Sequence, residues 1–307
     1  MSKNNFKSIL ILGPTASGKT KIGVQIAYRF NGEIISADSR QVYIGLDIGT
    51  GKDLAEYSIV SPPVPYHLID IVSPKHEFSL YEFIQHFNSV FELITNKGKL
   101  PIIVGGTGMY LEAILEKHKL PVAPPNFALR EELQNLGLEE LQDKLISLRG
   151  KVHNTTDLLD RERLIRAIEI TEAEKQGCPY VCATEIYPLV IGISHEREVL
   201  KIRISQRLKK RLEEGLIDEV KRLREEGITD ERLYQLGLEY RYVLWYLQGR
   251  IKNKNDLFQK LRSAIWEFSR RQMMWFRRFE RKGIKINWFC PDDIEKIIEI
   301  IKRAKYD

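Results

Sequence analysis

The sequence has few cysteines and no long apolar run, and both absences exclude classes of protein. Its 307 residues include only three cysteines, Cys178, Cys182 and Cys290, which argues against a disulfide scaffold. The CPYVC pair lacks a second ligand pair at a spacing suited to zinc, so reduced structural thiols are expected. No apolar run approaches the roughly 18 to 20 residues that cross a bilayer. The N-terminal MSKNNFKSILILG has too short an apolar stretch for a signal peptide. We therefore expect a cytoplasmic protein that does not enter the membrane.

An excess of positive charge is absent from most of the chain and is concentrated in one segment. The formal net charge is only +6, but residues 201–283 contain 22 Lys or Arg and 12 Asp or Glu. The remainder contains 26 basic and 30 acidic side chains. A basic segment in an otherwise slightly acidic protein fits a surface that faces a polyanion. A solvated helical face would give the same excess of charge.

Short strands alternate with helices in the first part of the chain. SLYEFIQHFNSVFELITNKG predicts a helix that stops near Gly98. Short apolar runs that end in glycine or polar residues predict strands in FKSILILG, NGEIISADS, YHLIDIVS and KLPIIVGGTGMY. The alternation predicts an α/β fold with a doubly wound parallel sheet of the P-loop type. Because ligands bind beyond the carboxyl ends of such strands, the loops GPTASGKT, ADSRQ and GGTGMY should converge on one crevice.

The strand pattern fades after residue 115. LPVAPP predicts a stiff linker, because consecutive prolines resist helix and sheet. ALREELQNLGLEELQDKLISL and DRERLIRAIEITEAEKQG then predict helices, and PLVIGISHE predicts a returning strand. The sequence thus predicts a P-loop core over 1–117 and 187–307, with a helical insertion lobe over 118–186. From Glu196 onward the pattern is helical, basic and amphipathic.

Residues 13–20 match the phosphate-loop pattern G-x-x-x-x-G-K-[ST] without a mismatch. Glycines let the backbone curl so that its N–H groups point at phosphate oxygens, and the following helix adds partial positive charge. Lys19 would bridge phosphate oxygens, and the Thr20 hydroxyl would ligate a magnesium ion. The expected phosphate-binding residues are Gly13, Pro14, Thr15, Ala16, Ser17, Gly18, Lys19 and Thr20.

The phosphate loop does not by itself identify the phosphate compound. Such loops usually hold ATP or GTP. A switch-type GTPase would carry the guanine-reading N-K-x-D motif, which is absent. A motor-type ATPase would carry a longer hydrophobic strand that ends in paired acids, and Asp70 in HLIDI is the nearest substitute. The pattern therefore indicates bound phosphate and magnesium only.

Other polar and aromatic residues have more than one interpretation. Asp38 in ADSRQVY could ligate metal, cap the following segment, or act as a general base. Thr107 offers a hydroxyl in a second glycine turn, GGTGMY. Aromatic side chains alternate with arginines over 258–282; most should be buried in the core, and one or two could stack on bases. These aromatics are Trp266, Trp275, Phe276 and Phe279.

In order and spacing, the motifs resemble those of tRNA dimethylallyltransferases. The resemblance covers most of the chain and is carried by GPTASGKT, DSRQVY, DIGTGKD, HLIDI, GGTGMY, RERLIRAIEI and SRRQMMWFRRF. It implies transfer of a dimethylallyl group from dimethylallyl diphosphate, with magnesium, to N6 of adenosine 37 in tRNA. That base lies beside the anticodon of tRNAs that read codons beginning with U. The resemblance implies that it is flipped out of the anticodon stem-loop into a channel, for which a monomer suffices.

The resemblance also implies roles for single residues. Asp38 would be the general base on the N6 amine, and Thr20 and Arg207 would contact the diphosphate. The basic C-terminal helices would bind the tRNA backbone. The residues expected to contact tRNA are Asp38, Ser39, Arg40, Gln41, Thr107, Arg130, Glu162, Arg163, Leu164, Ile165 and Arg166.

Three stretches depart from the pattern of the family. The usual I-G-T-A-K-P is IGTGKD here, with Gly51 and Asp53 in place of alanine and proline. The insertion lacks the D-P-x-x-A stretch before KVHNTTD. QLGLEYRYV, over 235–243, carries extra residues relative to the usual glycine-tyrosine-arginine spacing. We expect these departures to alter local tRNA contacts.

Three rival functions are open from the sequence. An isopentenyltransferase acting on free adenine nucleotides would not need a large cationic segment. A small-molecule kinase would leave GGTGMY without a role. An RNA-binding protein regulated by a nucleotide would not need Asp38 beside Lys19 and Thr20.

Overall fold

The computed structural model describes residues 6–150 and 159–306, so the KVHNTTD stretch lies outside the described residues. The chain divides into two compact units. One combines Met1–Lys117 with Ala183–Asp307, and the other is His118–Cys182. Among the described residues, no helix has both the length and the apolar character needed to cross a membrane.

Eight strands and twelve α-helices make up the described chain. The strands are β1 (Ser8–Leu12), β2 (Gly32–Ala37), β3 (Tyr66–His67), β4 (Leu100–Gly105), β5 (Leu120–Pro121), β6 (Tyr180–Val181), β7 (Pro188–Ile193) and β8 (Asn287–Phe289). The helices are α1 (Lys19–Arg29), α2 (Leu80–Asn96), α3 (Gly108–Leu115), α4 (Phe127–Gln134), α5 (Leu138–Arg149), α6 (Arg161–Lys175), α7 (Arg197–Glu213), α8 (Leu216–Glu225), α9 (Asp230–Gln235), α10 (Leu238–Leu247), α11 (Lys254–Arg281) and α12 (Ile294–Tyr306).

The larger unit is built on a six-stranded sheet in the order β3-β2-β4-β1-β7-β8. All of its pairings are parallel. On one face, Ile9 and Ile11 join a buried cluster with Ile22 and Ile26 of α1 and Ile297 of α12. Helix α2 contacts β2 and β4 but contributes no residue to that cluster, so it covers the opposite face, because side chains alternate along a strand. The predicted doubly wound parallel sheet is confirmed.

The three central strands end level with one another. Gly105 at the end of β4 pairs with Leu12 of β1 on one side and with Ala37 of β2 on the other. Gly105 has no room for a side chain, because a Cβ would collide with the carbonyl of Ala37. The loops that follow these strands therefore begin at the same edge of the sheet, where parallel sheets bind ligands.

The helix predicted over residues 79–98 forms as α2. Ser79 caps it through a reciprocal capping box with Glu82, which satisfies two backbone donors of the first turn. Gly98 follows its C-terminal end with φ +68°, in the left-handed region where glycine has no steric penalty.

Four local predictions are wrong in detail. YHLIDIVS gives only a two-residue strand, because Leu68 and Asp70 adopt positive φ and break the extended backbone. In LPVAPP, Leu120–Pro121 pairs with Tyr180–Val181, which a proline at a strand edge permits. The helix predicted from ALREEL onward is two helices, broken before Gly137. The C-terminal region also contains strand β8, which the basic helical pattern concealed.

The smaller unit is mainly helical. Its apolar core is formed by α4, α5 and α6, and the short antiparallel pair of β5 and β6 belongs to the same unit. Side-chain oxygens of Asn126 and Asp160 accept backbone N–H bonds at the starts of α4 and α6. The core residues are Leu129, Leu133, Leu141, Leu145, Leu164, Ile165 and Ile168.

Candidate active site

A cavity of about 990 Å³ lies at the carboxyl ends of the strands in the larger unit. The phosphate loop, the loop after β2 and the loop after β4 all line it, as the sequence predicts. Helices α7 and α11 and the start of α10 complete its wall. The predicted site residues that line it are Thr15, Ala16, Ser17, Gly18, Lys19, Thr20, Asp38, Ser39, Arg40, Gln41, Thr107 and Arg207.

The phosphate loop has the curled backbone that its glycines predict. Ala16 and Gly18 both have left-handed backbone angles, with φ of 62° and 89°, and Gly18 directly precedes α1. A Cβ on Gly13 would collide with the carbonyl of Ile193 on β7. The loop therefore packs tightly against the sheet and leads directly into α1. Such an array of N–H groups at a helix start attracts anions.

Lys19 is the buried cation of this loop. Its Nζ lies 3.4 Å from the carbonyl oxygen of Pro14. Burial lowers the pKa of Lys19 to about 8, since desolvation outweighs the attraction of Asp38, and Arg207 lowers it further. A buried ammonium with a reduced pKa binds strongly to an anion that restores its charge.

Helix α7 adds two arginines to the same wall. Arg203 donates from Nε to the carbonyl oxygen of Ala16 at 2.9 Å, and Nη1 of Arg207 lies 3.4 Å from the Thr15 hydroxyl. Burial, together with the neighbouring Arg211, lowers the pKa of Arg207 to about 10. Nε of Arg207 is buried and has no hydrogen-bond partner within the part of the chain that the structure describes. The site thus presents an unsatisfied cationic donor beside the phosphate loop.

Asp38 lines the same cavity, directly after the end of β2. Its Oδ1 accepts the backbone N–H of Arg40 at 2.9 Å. The Thr107 hydroxyl accepts the backbone N–H of Ser39 at 3.0 Å, which ties the loop after β2 to the loop after β4. Gln41 donates to the carbonyl oxygen of Gly51 at 3.1 Å. Asp38 is therefore held in place near the phosphate loop by backbone and neighbouring side chains.

Gln272 joins two loops of the site, and sequence reasoning assigned it no role. Its Oε1 accepts the backbone N–H of Thr15 at 2.7 Å, and its Nε2 donates to the carbonyl oxygen of Gly106 at 2.9 Å. It belongs to SRRQMMWFRRF, a motif noted in the sequence, but a glutamine on a basic helix gives no local signal of its partners. Helix α11 therefore fixes the phosphate loop and GGTGMY relative to each other.

The aromatic side chains of α11 lie in the core, on the cavity wall and beneath cationic side chains of α7. Phe276 and Phe279 are fully buried. Trp275 lines the cavity and lies against Gly108, where a Cβ would collide with its ring. Trp266 lies under the cationic groups of Arg197 and Lys201, 5.7 and 5.4 Å from its ring.

Asp70 and DIGTGKD form an ion-pair cluster around one buried lysine. Lys52 is almost inaccessible to solvent and donates to the carbonyl oxygen of Tyr43 at 2.8 Å and to Asp47 at 2.7 Å. It also pairs with Asp70. A buried ammonium needs such partners. Asp70 thus forms an ion pair with Lys52 in this structure, and neither residue lines the cavity.

The remaining predicted tRNA-contacting residues lie in the smaller unit. Arg130 makes a two-pronged pair with the buried Glu169, at 2.7 and 2.9 Å, and Arg166 adds a third bond at 3.1 Å. Burial opposes ionisation of Glu169, but these bonds outweigh it, so its pKa is lowered. Leu164 and Ile165 are buried in the apolar core. The polar groups of this segment, including Glu162 and Arg163, are the ones left at the surface.

Comparisons with known proteins identify the family of the chain. A profile of the IPP transferase family matches residues 41–279, and one of isopentenyl transferase matches residues 6–58. The chain is 55% identical to tRNA dimethylallyltransferase 1 of Geotalea uraniireducens (strain Rf4), over 92% of each chain.

Solved structures give the same result. The chain is 36% identical to the full-length tRNA isopentenylpyrophosphate transferase of Bacillus halodurans, with a TM-score of 0.68 over 97% of this chain and 95% of that one. It shares its fold with a eukaryotic dimethylallyltransferase acting on tRNA, with a TM-score of 0.70 and 22% identity over 92% of this chain and 74% of that one.

Proposed function

The chain belongs to the tRNA dimethylallyltransferase family, and from that membership we propose that it transfers a dimethylallyl group to tRNA. The donor is dimethylallyl diphosphate and the acceptor is N6 of adenosine 37, in tRNAs that read codons beginning with U. The observation that carries this proposal is the convergence of Asp38, Lys19 and Arg207 on one cavity. Family membership confirms the resemblance that the motifs indicate.

Asp38 acts as the general base in this proposal. An adenine amine is a poor nucleophile, because its lone pair is delocalised into the ring. Attack on the allylic carbon therefore needs proton removal as the new bond forms. The Arg40 N–H holds Oδ1 of Asp38, which orients the carboxylate and directs Oδ2 to take the proton from N6.

The phosphate loop holds a leaving group in this reaction. The N6–carbon bond forms as the carbon–oxygen bond to diphosphate breaks, so negative charge grows on the departing oxygen. Lys19 and Arg207 neutralise that charge from inside the cavity. Their lowered pKa values, about 8 and about 10, reflect cations held in poor solvation, which an incoming diphosphate relieves.

The donor set of the site fits a magnesium ion. Thr20, in the first turn of α1, offers a hydroxyl, and Asp53 and Glu56 line the same cavity with carboxylates. Magnesium prefers such oxygen ligands and usually binds together with substrate phosphates. Thr20 would hold the ion, which when bound supplies further charge neutralisation to the diphosphate.

The cavity also controls access by water. Trp275 and Phe268 of α11 contribute apolar surface to its wall. An apolar wall protects an allylic centre with cationic character from hydrolysis, and Trp275 offers a face on which the flipped adenine can stack.

The partners follow from this reaction. The acceptor is the anticodon stem-loop of tRNA, contacted by the loop over Asp38–Gln41, by Thr107, and by Arg130, Glu162, Arg163 and Arg166. The contacts expected of Leu164 and Ile165 are wrong, because both side chains are buried in the apolar core. We propose that the enzyme works as a monomer in the cytoplasm, where unmodified tRNA is available.

Labelled dimethylallyl diphosphate tests the proposal. The protein is incubated with it and magnesium, and either unmodified tRNA or AMP is supplied as acceptor. We expect label in tRNA and none in AMP. Label in AMP alone would indicate an enzyme acting on free nucleotides. No label in either acceptor would favour phosphoryl transfer, which radiolabelled ATP would then reveal.

A further inference from the structure

Arg211, one helical turn after Arg207 on α7, lies inside the same cavity wall. It is only 6% exposed. Residues four apart on a helix share a face, so both guanidinium groups point the same way. Sequence reasoning did not assign Arg211 a role, because RISQRLKKR offers several basic residues and no means of ranking them.

The hydrogen bonds of Arg211 are few and long. Nη1 lies 3.4 Å from both the carbonyl oxygen of Gly49 and Oε1 of Glu239. Nη2 is buried without a partner among the described residues, as is Nε of Arg207. Since a buried charged donor without an acceptor is costly, two such donors on neighbouring arginines indicate that an anion satisfies them.

The carboxylates nearby are weak counterions for the two arginines. Oδ2 of Asp53 lies 3.8 Å from Nη2 of Arg207, and Glu239 is no nearer than 3.4 Å to Arg211. Burial raises the pKa of Glu239, while Arg211 opposes that rise. The pair of guanidinium groups therefore keeps positive charge available for a ligand.

Gly51 provides the space in which the two guanidinium groups meet. Its φ is +61°, and a Cβ there would collide with Nη2 of both Arg207 and Arg211. Gly51 belongs to IGTGKD and Glu239 to QLGLEYRYV, two stretches that depart from the family pattern. Residues from both of these divergent stretches thus contact Arg211. The two departures have one explanation if Arg211 is part of the diphosphate site.

We propose that Arg211 is a second arginine of the diphosphate site, contacting the allylic diphosphate beside Arg207. The inference rests on the proposed function. A tRNA phosphate is the other anion that could satisfy these donors. The diphosphate is favoured because Arg207 is adjacent to Thr15 of the phosphate loop.

The test is the affinity for inorganic diphosphate with magnesium, measured by calorimetry on Arg211→Met and Arg211→Lys. We expect the dissociation constant to rise about tenfold for Arg211→Met, the size of one lost hydrogen bond to a charged group, and less for Arg211→Lys. The affinity for tRNA should not change. Arg222→Met is the matched control, because Arg222 donates to the carbonyl oxygen of Gly45 and does not line the cavity.

Arg211→Met leaves Glu239 buried beside an apolar side chain and could unfold the protein. The double variant Arg211→Met/Glu239→Gln removes both charges together and should show the same loss of diphosphate affinity. An unchanged diphosphate affinity in the folded variants would overturn the inference, and so would a selective loss of tRNA affinity. Diphosphate binding is measured without prenyl transfer, so it is independent of activity. If the protein has no transferase activity but its affinity for diphosphate falls when Arg211 is replaced, the proposed function is wrong and the inference about Arg211 holds.

Discussion

Asp38 and the cations that face it have separate tasks in this account. Asp38 is fixed by the backbone N–H of Arg40, whereas Lys19 and Arg207 are buried beside the phosphate loop. The proposed function therefore assigns proton removal and leaving-group stabilisation to different side chains. Substitutions of these residues should affect different kinetic constants.

Asp38→Ala should lower turnover by about 10²- to 10⁴-fold, the usual contribution of a general base. The affinity for tRNA should stay nearly unchanged, because the base acts only as the new bond forms. Single-turnover rates and tRNA binding, measured on the same preparation, check this. An equal loss of binding and rate would instead make Asp38 a tRNA anchor.

Lys19 should produce an alkaline limit in the pH profile. Its pKa is lowered to about 8, so the ammonium is present below that pH and is lost as pH rises through it. The kcat/KM for dimethylallyl diphosphate should therefore fall above pH 8, since this ratio reports groups of the enzyme form to which dimethylallyl diphosphate binds. Lys19→Arg should move that limit to higher pH. If the alkaline limit of Lys19→Arg is at the same pH as that of the unaltered enzyme, another group causes it.

At the scale of elements, Glu219 of α8 holds the loop that precedes Gly51. Its carboxylate accepts backbone N–H bonds from Asp47, Ile48 and Gly49 at 2.9, 2.8 and 3.0 Å, and the Tyr240 hydroxyl at 2.8 Å. Burial, together with Glu219, raises the pKa of Tyr240 well above its ordinary value, so the phenol keeps the proton that it donates. The loop thus depends on a single buried acceptor.

Glu219→Gln should lower the free energy of unfolding by about 1–3 kcal/mol, because an amide group cannot accept all of these bonds. Urea denaturation measures the change. Glu225→Gln is the control, since Glu225 lies exposed on the same helix. A variant as stable as the control would show that the loop does not need this carboxylate.

The strands of the sheet were predictable where a buried apolar run marked them in the sequence. Buried apolar runs that end in glycine or polar residues predicted β1, β2 and β4, and the phosphate-loop pattern placed α1. Strand β3 is shorter than predicted, because positive φ at Leu68 and Asp70 is not visible in an apolar run. Strand β8 is only three residues long and lies in a region where the helical pattern dominates.

The cavity was predictable from its loops and not from its helices. Polar loops after parallel strands must meet at one edge of the sheet, which placed Asp38 and Thr107 beside the phosphate loop. Gln272, Arg203 and Arg211 contact this site from more than 90 residues along the chain. Which face of a long basic helix points inward depends on tertiary packing, so no local pattern selects them. The functional roles of the site residues stay predictions.

At the scale of the whole molecule, the basic segment over 201–283 should dominate tRNA affinity. Each phosphate neutralised by a cation releases counterions, so affinity should fall steeply with salt. Arg271→Ala, at the exposed edge of the cavity, should reduce the slope of log affinity against log salt by about 1. Lys302→Ala, exposed on α12 outside that segment, should not. If the salt dependence has the same slope for both variants, tRNA does not bind at this edge of the cavity.

The most direct test of the central claim is to map the product. Unmodified tRNA that reads a codon beginning with U is incubated with the protein, magnesium and dimethylallyl diphosphate. The tRNA is then digested and the masses of its fragments are determined by mass spectrometry. The released diphosphate is measured in parallel. We expect one dimethylallyl group on adenosine 37 for each diphosphate released, and none when that base is replaced by guanosine. A dimethylallyl group at another nucleotide, or diphosphate release without modified tRNA, would contradict the account.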